Sequence, residues 1–125
     1  MNSEKLLAKC VLIAGLVLLC SPAQSTTVWT GVYKIVSVIV DLAGNLYIQV
    51  NQPLQVGACP ITDVFALPKI IPATNVTVSD SVLSRMQAIA QSAKAQNTPV
   101  SFGLESNFGC LWGVNPVIVQ INETK

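Results

Sequence analysis

Residues 32–52 read VYKIVSVIVDLAGNLYIQVNQ and contain two consecutive strand patterns. Residues 32–40 are dense in β-branched side chains, which favour a strand. DLAGN, residues 41–45, places a glycine where a turn needs one. From residue 46 onward apolar and polar side chains alternate, which predicts a strand with one wet face. Its apolar face is Leu46, Ile48 and Val50, and its polar face is Tyr47, Gln49 and Asn51.

Three more strands and one helix follow this hairpin. We expect strands at residues 62–68, 100–106 and 116–122, each rich in β-forming side chains. The helix has an N-cap at Ser79 or Asp80 and stops at Asn97, just ahead of a proline. Its side chains form one apolar stripe, which consists of Val82, Leu83, Met86, Ile89, Ala90 and Ala93.

The predicted order is therefore β-β-β-α-β-β, and the protein is expected to be mainly β with one helix. A five-stranded barrel with its helix between strands three and four is the OB-fold arrangement. In such a barrel the helical stripe would close the open bottom and form part of the core. A plain α+β sheet crossed by one helix is the alternative.

The first residues carry the pattern of an export signal. Lys5 and Lys9 precede an apolar run of 11 residues, 10–20, whereas a membrane-spanning helix needs about 20. A small-x-small pattern follows, so we expect a signal peptide at residues 1–23, cleaved after residue 23 or 25. A retained anchor is one alternative, and a lipoprotein acylated at Cys20 is another, against which Leu19 counts. Residues 24–125 would form a single secreted or periplasmic domain.

Charge narrows the classes of partner. Without the signal peptide the chain has five basic and five acidic side chains, so its formal net charge is zero. Nucleic-acid binding and attachment to a membrane surface both depend on clustered cations, and both are excluded as expected functions. Charged residues make up only 10% of the chain, against about 25% in ordinary domains. Its strands are apolar on both faces, which indicates burial in an assembly or beneath the helix.

Two cysteines, Cys59 and Cys110, remain after signal removal. In an exported domain such a pair most often forms one disulfide, here stabilising the fold by about 4 kcal/mol on the chain-entropy model. A redox pair and a catalytic nucleophile are the alternatives. The sequence has no histidine, which removes the usual general base, Cys–His metal sites and Ser-His-Asp triads. We therefore expect no enzyme, no cofactor and no metal site.

Two groups of side chains are candidates for ligand binding. The loop SNFGCLWG, residues 106–113, carries two aromatic rings that could stack on the apolar face of a sugar, with nearby amides to donate and accept hydrogen bonds. The polar face of the second strand lies where OB-folds often bind ligands. The predicted ligand-binding residues are Trp112, Phe108, Asn107, Asn115, Tyr47 and Gln49. The alternatives are that Trp112 packs over the disulfide or closes the barrel end, and that the polar face is only solvated.

Several short stretches resemble the glycan-binding B subunits of bacterial AB-type toxins, of the subtilase cytotoxin and typhoid toxin type. They are VWTG directly after the signal, Cys59 before the third strand, and NTPVSF at residues 97–102. The resemblance implies an OB-fold, a homopentamer and a glycan ligand. The sialic-acid site of that family uses a serine near the early strands, and Ser37 lies inside a hydrophobic strand, so that role is not transferred. The chain equally resembles stand-alone secreted relatives with one disulfide and no toxin partner.

These observations favour a non-catalytic exported module that binds glycan through loop aromatics and amides. A stand-alone periplasmic or secreted protein that acts by protein contact, as an inhibitor or envelope accessory, is the alternative. The expected partner is a glycan or a protein ligand. A homo-oligomer, a pentamer if toxin-like, is the expected assembly.

Overall fold

The computed structural model describes residues 27–105 and 107–124. The signal peptide predicted at residues 1–23 lies outside these residues. None of the helical structure within them is long and apolar enough to cross a membrane.

Short strands dominate the described residues, and one helix interrupts them. Within these residues the elements are β1 Thr27–Trp29, β2 Ile35–Val40, β3 Leu46–Leu54, β4 Thr62–Leu67, β5 Ile70–Ile71, β6 Val76–Thr77, α1 Asp80–Gln96, β7 Val100–Glu105, β8 Cys110–Leu111, β9 Asn115–Pro116 and β10 Ile118–Glu123. The prediction of a mainly β protein with one helix is confirmed.

Two antiparallel three-stranded sheets form the body of the domain, in the orders β1-β7-β10 and β2-β3-β4. Two isolated bridges join them, one between Tyr33 and Val100 and one between Ala66 and Val117. The short strands β5 and β6 pair with each other, as do β8 and β9.

The sheets differ from the predicted five-stranded barrel in strand number and in closure. The described chain has ten strands, and single bridges rather than continuous ladders connect the two sheets. The expected first strand at residues 32–40 begins later, at Ile35, and the unpredicted short strand β1 precedes it; β1 pairs with β7, whereas β2 pairs with β3. Each strand of the pairs β5–β6 and β8–β9 has only two residues. Such strands are too short to show an alternation of apolar and polar residues in the sequence.

The two faces of β3 match the sequence pattern. Leu46, Ile48 and Val50 are almost completely buried, whereas Tyr47 and Gln49 are half-buried on the opposite face. Because successive side chains point to opposite faces of a strand, the buried set fixes the register with β2 and β4. The polar face of the predicted second strand is therefore directed away from the core.

Helix α1 begins and ends as predicted. The Ser79 side chain accepts a hydrogen bond from the backbone N–H of Val82, and Asn97 takes the left-handed conformation at the C-cap. Met86, Ala90 and Ala93 are the buried residues of the helix and join the main core, on which Val82 and Leu83 also pack. The helix packs against β2, β10 and β3.

An aromatic pair links the two sheets inside the core. Phe65 of β4 and Phe102 of β7 are both 0% exposed, and their ring centroids lie 4.6 Å apart at an interplanar angle of 30°. Such a pair combines a large apolar burial with a favourable ring geometry. Since the sheets share few backbone hydrogen bonds, this contact is central to their association.

The predicted disulfide between Cys59 and Cys110 is confirmed, with Cα atoms 5.7 Å apart. It ties the loop before β4 to the first residue of β8. Cys59 is buried, and the backbone N–H of Cys59 donates to the carbonyl of Val56 at 3.1 Å. The bond therefore anchors the β8–β9 hairpin to the body of the domain.

We expect Phe65→Ala to lower the free energy of unfolding by about 3–5 kcal/mol, because it removes a buried ring and leaves a cavity between the sheets. Urea unfolding of the oxidised protein would measure the loss. Leu42→Ala is the matched control, since Leu42 is fully exposed and its truncation should change stability by no more than about 0.5 kcal/mol. Equal effects of the two variants would contradict the role assigned to the aromatic pair.

Candidate functional site

The β8–β9 hairpin presents Trp112 at its turn. The backbone N–H of Gly113 donates to the carbonyl of Cys110 at 3.1 Å, and that of Val114 donates to the carbonyl of Leu111 at 3.0 Å. Trp112 has a φ of 56°, a left-handed conformation that is uncommon for a bulky residue. With Cys110 in a disulfide and Leu111 buried, the base of the hairpin is fixed beneath the tryptophan.

The indole of Trp112 is 74% exposed. This exposure does not fit the alternative in which Trp112 packs over the disulfide. Its Nε1–H donates a long, weak hydrogen bond of 3.5 Å to the hydroxyl of Tyr47, so the edge of the indole lies beside that side chain. The hairpin thus places one large aromatic face in solvent beside β3.

Tyr47 connects this ring to the sheet. Its hydroxyl donates to Oδ2 of Asp41 at 3.2 Å, and its ring packs on a small apolar cluster that is separate from the main core. The buried members of that cluster are Ala66, Leu111 and Val117, and Phe108 packs against it beside Tyr47. Phe108 is therefore half-buried support beneath the surface and not a second exposed ring.

Two amides and a carboxylate continue the same surface. Nε2 of Gln49 donates to Oδ2 of Asp63 at 2.9 Å, and Nδ2 of Asn115 donates to the carbonyl oxygen of Val64 at 3.1 Å. Gln49 lies opposite Val64 in the β3–β4 ladder, so both contacts meet on one part of β4. We call Tyr47, Gln49, Asp63, Trp112 and Asn115 the Trp112 surface.

Four of the six predicted ligand-binding residues therefore lie together: Tyr47, Gln49, Trp112 and Asn115. Asn107 is exposed, and within the described chain its side chain forms no hydrogen bond with the other five. Asp63 was not among the predicted residues, because only the pairing of β3 with β4 brings it to Gln49. No spacing in the sequence carries that signal.

Asp41 organises the turn that leads into this surface. Its carboxylate accepts hydrogen bonds from the backbone N–H groups of Ala43 and Asn45, from the Asn45 amide and from the Tyr47 hydroxyl. These bonds, first of all the one from the Asn45 backbone, lower the pKa of the Asp41 carboxyl below its ordinary value. Asp41 is another residue that sequence reasoning missed, although aspartate is common where turns begin.

A separate cleft of about 200 Å³ lies beside the disulfide. Its walls are mostly apolar and include Val28, Val56, Leu104 and Pro116. The charged residue in the lining is Glu105, whose Oε1 accepts a hydrogen bond from Thr27 at 2.7 Å. None of the six predicted ligand-binding residues lines this cleft.

Metal ligands do not converge on the Trp112 surface or elsewhere in residues 27–105 and 107–124. No three His, Cys, Asp or Glu side chains in this part of the chain are grouped so that they could hold a metal ion. The side chains of the Trp112 surface offer an aromatic face and hydrogen-bonding groups.

Replacing Asp41 with asparagine should destabilise the protein at neutral pH and much less in acid. The folded-state pKa of Asp41 is lowered, so its contribution is complete above the unfolded value of about 3.9 and is lost as the pH falls through the folded value. Unfolding free energies of wild type and Asp41→Asn, measured between neutral pH and acid, should therefore converge. Tyr47→Phe removes only one of the four hydrogen bonds and should show a smaller change in the same direction. A difference that grows on acidification would contradict this account.

Comparisons of the chain with protein-family models, with curated proteins and with solved structures return no match. The function is therefore inferred from the residues of the Trp112 surface.

Proposed function

We propose that the protein is a non-catalytic, exported binding module that recognises glycan at the Trp112 surface. The observation that carries the proposal is a tryptophan, Trp112, that is 74% exposed on a hairpin whose base is held by a disulfide. Exposed aromatic rings provide a flat apolar face for the C–H groups of a sugar. Because the hairpin is fixed before binding, little ordering entropy would oppose the complex.

The polar members of the surface suit the other half of a sugar. Three side chains are half-buried and take part in hydrogen bonds within the protein: Gln49, Asp63 and Asn115. These bonds hold the side chains in place and so fix the direction of the polar atoms that a ligand can still reach. Sugar hydroxyls both donate and accept hydrogen bonds, and amides and carboxylates are their usual partners. Tyr47 and Gln49 lie two residues apart on one strand, about 7 Å, which matches the scale of a sugar ring.

Two features support a role without catalysis. The chain contains no histidine, and the Asp41 carboxylate is already occupied by four hydrogen bonds within its turn. A glycosidase needs two carboxyl groups facing each other across the scissile bond. The Trp112 surface, as defined above, includes a single carboxylate, that of Asp63, which accepts a hydrogen bond from Gln49.

The OB-fold and the toxin-like family remain part of the proposal. If β1 and β2 are counted as one bent strand, the neighbours run in a ring: β2, β3 and β4, then β10 and β7, then back to β1. The Ala66–Val117 and Tyr33–Val100 bridges lie at the two junctions of that ring. This order supports a five-stranded barrel of the kind that the resemblance implies. The disulfide supports export to an oxidising compartment.

Trp112→Ala should abolish binding to an immobilised glycan panel while leaving the thermal unfolding midpoint nearly unchanged, because the lost ring is exposed. The matched control is Trp29→Ala, which removes the chain's second tryptophan from the other sheet and should keep binding. In Trp29→Phe the remaining tryptophan is Trp112, and its fluorescence should change when a sugar that binds on the panel is added. Wild-type protein that binds no glycan, or Trp112→Ala that binds normally, would contradict the proposed function.

A second candidate function is contact with another protein, and a specific observation favours it. Val36 and Ile39 of β2 are 49% and 53% exposed, and Leu42 follows the strand fully exposed. Ile39 lies opposite Tyr47, on the face of the sheet turned away from the core, so this patch is open on a domain with no predicted net charge. Patches of this kind mark protein interfaces. The partner is a second copy of the chain in a toxin-like ring, or a different protein in the stand-alone alternative.

Native mass spectrometry of the oxidised protein separates these two partners. For a toxin-like ring we expect a fivefold mass, and Ile39→Glu should dissociate it because a buried unpaired charge is costly. Val76→Glu is the matched control, since Val76 is equally exposed but belongs to the separate β5–β6 pair. A monomeric wild type would contradict the ring and favour the stand-alone alternative.

A further inference from the structure

The donors of the Trp112 surface are largely used within the protein. The indole N–H of Trp112 donates to Tyr47, and the Tyr47 hydroxyl donates to Asp41. Gln49 and Asn115 each have one amide N–H engaged, the first by Asp63 and the second by the backbone. A ligand therefore meets few free N–H or O–H groups.

The acceptors of the same surface remain open. Carboxylate and carbonyl oxygens can only accept, so the amide groups of Gln49 and Asn115 that face them must be their N–H₂ ends. Oε1 of Gln49 and Oδ1 of Asn115 then point elsewhere. Neither these oxygens nor Oδ1 of Asp63 accepts a hydrogen bond from any residue in the described part of the chain.

The fixed charge of the surface is negative. Asp63 belongs to it and Asp41 hydrogen-bonds to Tyr47. Among the described residues no basic side chain hydrogen-bonds to the surface: Arg85 and Lys94 are on α1, and Lys69, beside the turn of Asp41, pairs with Asp80. Lys34 lies beside Asn51, at the end of β3 away from the Trp112 contact.

We propose that the Trp112 surface selects neutral glycans and rejects sialylated or other acidic ones, an inference that rests on the proposed glycan function. Sugar hydroxyls can donate to the open oxygens, and a hydrogen bond to the Asp63 carboxylate is strengthened by its charge. The carboxylate of an acidic sugar only accepts, so it would face acceptors and a like charge with no cation to offset the repulsion. The proposed function states only that a glycan binds, whereas this inference also specifies the charge of that glycan.

The test uses matched pairs of immobilised oligosaccharides that differ only by a terminal sialic acid, such as lactose and sialyllactose. We expect wild-type protein to bind the neutral member at least tenfold more tightly. Asp63→Asn keeps the shape but removes the charge, so it should weaken neutral binding and reduce this ratio at least threefold. Glu123→Gln is the matched control, because it removes one negative charge from β10, opposite Val100, and should leave the ratio unchanged.

The outcomes distinguish the two proposals. Tighter binding of the sialylated member, or a ratio that Asp63→Asn leaves unchanged, overturns the selection for neutral sugars but leaves the glycan function standing. Absence of binding to every member overturns both. Thermal unfolding of each variant shows whether it is folded, and Asp63→Glu, which restores the charge, should recover part of the ratio if Asp63→Asn is destabilised.

Discussion

The packing of Phe65 against Phe102 is the contact on which the domain depends. The two three-stranded sheets meet through backbone pairing only at isolated bridges, so side chains between them must provide the cohesion. Phe65 of β4 also pairs with Ile48 of β3 across the ladder, so the buried face of β3 belongs to the same core. Once this face is buried, the alternation of β3 directs Tyr47 and Gln49 outward.

The disulfide extends this order to a segment that could not hold itself. A hairpin with two residues in each strand is too small to be stable alone in water. The Cys59–Cys110 bond, the buried Leu111 and the hydrogen bond from Asn115 to Val64 attach it to β4. As a result, an exposed tryptophan in a left-handed conformation is held beside the polar face of β3. Stability of the base and exposure of the tip are thus produced by the same short hairpin.

Hydrogen bonds within the surface determine what it has left to offer a ligand. The Tyr47 hydroxyl and the amides of Gln49 and Asn115 donate hydrogen bonds to oxygen atoms of the protein. The polar atoms left for a ligand are therefore mainly acceptors. A polar surface of this kind differs from one lined by arginine or lysine, which would attract acidic groups. The proposed preference for neutral sugars follows from the excess of open acceptors over free donors, and not from the presence of aromatic rings.

The sequence by itself determined the mainly β class, the caps of α1, the inner and outer faces of β3 and the cysteine pair, because each depends on local spacing or on simple elimination. It also identified Trp112, Tyr47, Gln49 and Asn115 as separate candidates. Only the tertiary structure decided that they share one surface, that Phe108 supports it from below and that Asp63 belongs to it. It also added the short strand β1 before the first predicted strand and left the sheets joined by single bridges. These features depend on contacts between residues far apart in the chain, and no local pattern in a single sequence encodes such pairings.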